Sequence, residues 1–141
     1  MAFRVLIAGG RHFTDYPHLR ATLDALLAQR LPDVELLTIG GRGVPMLVAS
    51  YATVRGLKLT TFVPDYRRFP GDAEERRDAY LSAEADAALV VWDGRDPGVR
   101  RLLELVERRG VPVHVIGRPS RVRRRRIADP EEQGPVRGLP D

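Results

Sequence analysis

The chain is predicted to fold as one α/β domain, a parallel sheet with helices packed on both faces, followed by a basic tail. Three observations predict this. Over residues 1–117, short apolar runs alternate with stretches of helical period, leaving little spare sequence. The apolar runs are rich in Val, Ile and Leu, without the polar alternation of a half-solvated strand, as expected for strands buried on both faces. Glycine or proline punctuates almost every junction.

In chain order, Phe3–Ala8 is a short apolar run that stops at Gly9-Gly10, as a buried strand would. Tyr16–Arg30 carries Leu19, Leu23, Leu26 and Leu27 at helical spacing, with Thr14 or Asp15 as cap and Pro17 at the tolerant first turn. Val34–Ile39 is a second strand, ended by Gly40-Gly41-Arg42-Gly43. A helix from Val44 to Arg55 presents Leu47, Val48, Tyr51 and Val54 and closes at Gly56. Lys58–Val63 is the third strand, stopped by Pro64. Beyond the polar stretch 66–71, Asp72–Glu84 is a charged helix anchored by Tyr80 and Leu81. Ala87–Trp92 is the fourth strand and Asp93–Gly98 a turn-rich loop. Pro97–Arg109 forms a helix with Val99, Leu102, Leu103 and Val106 inward, and Val111–Ile116 is the fifth strand.

The 141 residues suit one domain with a substantial core. With no cysteine, a disulfide scaffold, a thiolate metal site and a thiol nucleophile are excluded. The longest wholly apolar run, Ala87–Trp92, is far too short for a membrane span, and no secretory signal is visible, so a soluble cytoplasmic protein is expected. The net charge is +4, but residues 118–141 hold seven Arg against four acids, so the body is nearly neutral. The tail, with Arg123-Arg124-Arg125-Arg126 and several Pro and Gly, has too little apolar surface to offset the entropy of ordering and is expected to be mobile.

Ligands of open parallel sheets lie outside the carboxyl ends of the strands. Three predicted strands end there in glycine-rich loops: 9–15, 40–43 and 93–98. Each precedes a predicted helix, so main-chain N–H groups and the positive end of a helix dipole face one crevice. Arg11, Arg42 and Arg95 supply charge for an anion. Strand-to-helix turns also need glycine for purely conformational reasons, so single glycines carry little weight. Neither GxGxxG after the first strand nor GxxxxGK[ST] is present, which disfavours a standard dehydrogenase or P-loop ATPase.

The run Val5-Leu6-Ile7-Ala8-Gly9-Gly10-Arg11-His12-Phe13-Thr14-Asp15 resembles the GGRxFxD opening of the YspA/YpsA-like branch of the SLOG superfamily, to which the LOG phosphoribohydrolases and DprA are related. The similarity continues through Gly40-Gly41-Arg42-Gly43, Arg77-Asp78 and Trp92-Asp93-Gly94-Arg95-Asp96-Pro97-Gly98, and so covers residues 3–117. It implies a Rossmann-like domain binding a nucleotide or nucleotide-derived ligand, such as an ADP-ribose, NAD-like molecule or nucleoside phosphate, in a signalling or sensing role. The ligand positions it implies are Gly9, Gly10, Arg11, Phe13, Gly40, Gly41, Arg42, Gly43, Arg77, Asp93, Gly94 and Gly98. The chain departs from the pattern at Val44-Pro45, where relatives commonly have a small residue and Asp. It departs again at Asp78, often Asn, and at Leu102, the slot of the LOG catalytic Glu. Glu104 lies two residues further along, on a different helix face.

A nucleotide hydrolase of phosphoribohydrolase type is therefore the alternative, with Asp93 or Asp78 as the catalytic candidates. A third reading has residues 118–126 gripping nucleic acid nonspecifically; it is disfavoured by the absence of interleaved aromatics and by the acids Asp129, Glu131 and Glu132. His12, His18 and His114 lack ligand spacing, so no metal is expected, nor is a cofactor. His114 is expected in the core and His12 near the pocket. Trp92 is left as either core or pocket wall, and self-association is left open.

Overall fold

The computed structural model describes residues 2–117; the expected mobility of 118–141, and any nucleic-acid contact there, lies outside the described residues. Five strands and four helices alternate along the described residues: β1 Phe3–Gly9, α1 Tyr16–Leu27, β2 Val34–Thr38, α2 Val44–Arg55, β3 Lys58–Thr61, α3 Ala73–Glu84, β4 Ala87–Trp92, α4 Pro97–Arg109 and β5 Val113–Gly117. The sheet order is β3-β2-β1-β4-β5, with every pairing parallel. This is a Rossmann-like fold. The chain winds outward from β1 to β3, then crosses back to β4, so the order reverses between β1 and β4.

The two-residue period of β1 divides the core. Val5 and Ile7 face one side with Leu19, Leu23 and Leu27 of α1 and Val44, Val48 and Tyr51 of α2. Leu6 and Ala8 face the other, with Leu81 of α3 and Val99, Leu102 and Val106 of α4. Each fully buried Leu or Val contributes about 1.5–3 kcal/mol through apolar burial. Asp15 caps α1 by accepting the His18 N–H at 3.1 Å. Gly56 and Gly110 end α2 and α4 in the left-handed conformation.

Several expectations are corrected. The first helix stops at Leu27, and Leu26 is exposed. Val54, placed inward by the pattern, is 67% exposed at the outer face of α2. Tyr80 is likewise exposed, though its ring meets Phe62 edge-to-face with centroids 5.7 Å apart. β3 ends at Thr61, before exposed Val63. β3 and β5 are edge strands and are not buried on both faces. His114 on β5 is therefore exposed, where a core position was expected.

Candidate functional site

The three glycine loops converge. Residues of all three, together with Ile39, Pro45 and Pro97, line a single cleft of about 820 Å³ at the carboxyl end of the sheet, where the strand order reverses. From β1 come Gly9, Gly10, Arg11 and His12; from β2, Gly40, Gly41 and Arg42; from β4, Asp93, Arg95 and Asp96. The volume lies within the usual range for small-molecule sites.

Close packing holds the loops together. Gly9 pairs with Val91 across β1 and β4, and a Cβ on Gly9 would meet Val44 Cγ2 at 2.5 Å and Val91 Cβ at 2.9 Å. Glycine there lets α2 seat against the end of β1. Gly43 has φ +72° and lies against the main chain of Gly10 and Arg11, leaving no room for a side chain. The Val44 that departs from the relatives' pattern is wholly buried, and its N–H donates to the Gly10 carbonyl at 3.2 Å.

The electrostatics of the cleft are uneven. Arg11, Arg42 and Arg95 are exposed and form no ion pair among the described residues. Asp93 Oδ1 accepts the Arg95 N–H at 2.8 Å and the Asp96 N–H at 3.1 Å. These two bonds, that of Arg95 foremost, hold the Asp93 carboxyl below the usual aspartate value, against the opposing effect of burial. Asp96 caps α4, its Oδ1 accepting the Gly98 N–H at 2.9 Å and the Val99 N–H at 3.3 Å. The first turn of α4 is thus closed by its own carboxylate, whereas α2 starts at Gly43 without a side-chain cap.

Of the residues singled out from sequence, Gly9, Gly10, Arg11, Gly40, Gly41, Arg42 and Asp93 line the cleft. Phe13 lines a smaller recess beside it. Gly43, Gly94, Gly98 and Arg77 are not among the lining residues. The expected placement of Arg77 and Asp78 is corrected: Asp78 is 1% exposed and clamped between two guanidinium groups, with Arg77 Nε at 2.7 Å from Oδ1 and Arg101 Nε at 2.7 Å from Oδ2. With both oxygens engaged, this carboxylate joins α3 to α4 and has no free oxygen to offer the crevice. Leu102 is buried in the core beneath α4, while Glu104 faces outward beside Arg100.

The sequence reading placed Asp96 in the third loop and began the fourth helix at Pro97 but counted neither as a site residue, although an Asp before Pro at a helix start signals a cap. Ile39 and Pro45 gave no separate signal. No helix of the described residues is long and apolar enough to cross a membrane.

Residues 3–69 match the sequence model of the family described as YAcAr: YspA, cpYpsA-related SLOG family. The matched stretch holds the first two glycine loops and stops before α3. No curated protein and no solved structure matches the chain. Residues 3–69, which place the first two cleft loops on a Rossmann-like sheet, are thus similar to the YspA, cpYpsA-related SLOG family.

Proposed function

We propose that the cleft binds a nucleotide or nucleotide-derived ligand, of the ADP-ribose, NAD-like or nucleoside phosphate class, in a sensing or signalling role. The observation that carries this is the convergence of three glycine loops, with Arg11, Arg42 and Arg95, on one cleft at the reversal of strand order. Asp93 contributes a carboxylate whose Oδ2 takes no part in the two loop bonds. It is suited to accepting hydrogen bonds from ribose hydroxyls. The similarity of residues 3–69 to the SLOG family supports a nucleotide-related ligand.

Binding is preferred to hydrolysis on two grounds. The position of the LOG catalytic Glu is Leu102, buried among apolar neighbours. Asp93 is stabilised as the anion, which makes it a weak base, whereas general-base catalysis favours a pKa near the working pH. The test is a thermal-shift panel of ADP-ribose, NAD and nucleoside monophosphates. At least one should raise the melting temperature, because a ligand that binds only the native state stabilises it by mass action. No shift across the panel at millimolar ligand rejects the proposal.

A further inference from the structure

Beside the cleft lies a recess of about 280 Å³, bounded by Phe13, Val91, Trp92 and Gly117. Gly10, His12 and Asp93 line both spaces, so the two adjoin. Their chemistry differs. The cleft carries three arginines and two carboxylates among its glycine and apolar residues, whereas the recess has no arginine and presents Phe13, Val91 and Trp92. Phe13 is held in place by packing against the core under α1 and α2.

We infer that this recess is the nucleobase subsite of a nucleoside phosphate whose ribose lies at Asp93 and whose phosphate points toward Gly40, Gly41 and Arg42. The inference rests on the nucleotide reading of the cleft and gives the ligand a direction. Charge sets that direction. The wall built from β1 and β2 contributes Arg11 and Arg42 and no acid, whereas the β4 wall contributes Asp93 and Asp96 against Arg95 alone. Moreover, the amides of Arg95, Asp96, Gly98 and Val99 already donate to the Asp93 and Asp96 carboxylates. A phosphate on the β4 loop would meet two anions and find those donors taken. On the opposite side it meets two arginines that form no ion pair among the described residues. A base, flat and apolar on its faces, needs no such charge and gains from the aromatic and aliphatic wall of the recess. Asp93, common to both spaces, stands where the ribose joining base to phosphate must pass.

Trp92 is the single tryptophan of the chain, so its emission reports on the recess directly. Full-length protein is titrated with the four common nucleoside monophosphates, ribose 5-phosphate and inorganic phosphate, following both melting temperature and Trp92 fluorescence. At least one nucleotide should raise the melting temperature and change the emission, with ribose 5-phosphate binding about tenfold or more weakly and leaving the emission unchanged. Two variants accompany the titration. Gly10→Val places methyl groups at the junction, where a Cβ already approaches Asp96 Oδ2 at 3.8 Å and Asp93 Oδ2 at 3.9 Å. Phe13→Leu removes the ring while keeping an apolar side chain, should the first variant fold poorly. Both should weaken nucleotide binding more than phosphate binding. If nucleotides stabilise the protein with Trp92 emission unchanged, or bind no better than ribose 5-phosphate, the base lies elsewhere; the subsite is then wrong and the cleft reading survives. If no compound stabilises the protein, the nucleotide reading falls and the subsite falls with it.

Discussion

The Val44 N–H donates to the Gly10 carbonyl at 3.2 Å, tying the first glycine loop to the start of the helix that follows the second. The loops are thus braced by main chain rather than by long side chains. Gly43, immediately before Val44, lies where an added Cβ would run into the Gly10 and Arg11 main chain.

Gly43→Ala should consequently be costly. It combines a positive φ with a Cβ driven into the Gly10 and Arg11 main chain. Gly94→Ala is the comparison, because Gly94 also has positive φ (+85°) yet nothing lies within 4 Å of an added Cβ. Urea unfolding should show a loss of about 1–2 kcal/mol for Gly94→Ala and a clearly larger one for Gly43→Ala. Equal losses would mean that the two loops do not pack as described.

Asp78→Ala should destabilise the fold by about 3–5 kcal/mol, since it leaves Arg77 and Arg101 facing each other without their shared carboxylate. The folded fraction should retain its affinity for any cleft ligand. Urea midpoints and a binding isotherm on the same variant check both halves. A lost affinity with unchanged stability would restore Asp78 to the site.

How far these features were legible in the sequence follows from their range. α2, β4 and α4 begin and end where the pattern places them, because Gly40–Gly43, Asp96-Pro97 and the two C-terminal glycines are local signals. The convergence of the three loops was also legible, since it follows from parallel topology alone. Partnerships across the chain were not. Arg101 lies on a different helix from Asp78, and nothing in the spacing of either helix announces their ion pair. His114 and Val54 show a second limit. Apolar periodicity gives a residue's face, but not whether a neighbour covers that face at an edge strand or an outer helix surface.

Stability should depend on pH at both ends. Glu35, 7% exposed, is lowered foremost by the hydrogen bond that Thr60 donates at 2.5 Å, with further help from Arg4 and Lys58. Asp24 is lowered foremost by its hydrogen bond from Arg55 and then by Tyr51. Groups depressed in the folded state stabilise it above their unfolded values, and that contribution is lost as pH falls through the folded values. Stability should decline below about pH 4.5, toward and past the lowered values. Tyr51 moves the other way, raised from 10.0 to about 12 foremost by burial and then by its hydrogen bond to Asp24. Its contribution is complete below pH 10 and is lost as pH rises toward 12. Chemical denaturation across pH should show both limbs, and Tyr51→Phe should flatten the alkaline one.

Arg42→Ala should leave the stability of the ligand-free protein within about 0.5 kcal/mol, because the side chain is exposed and unpaired among the described residues. For a phosphate-bearing ligand it should remove a charge-assisted contact worth about 1.5–3 kcal/mol, a loss of roughly tenfold to a hundredfold in affinity. Calorimetric titration against wild type checks this. Unchanged affinity would place the phosphate elsewhere.

The most direct measurement is an amide-resolved NMR titration of the full chain with the nucleotide that stabilises it best. The account predicts that Gly10, Gly41 and Asp93, one from each loop, shift together and saturate at one ligand concentration. Shifts confined to one loop, or appearing only outside the cleft, would contradict it.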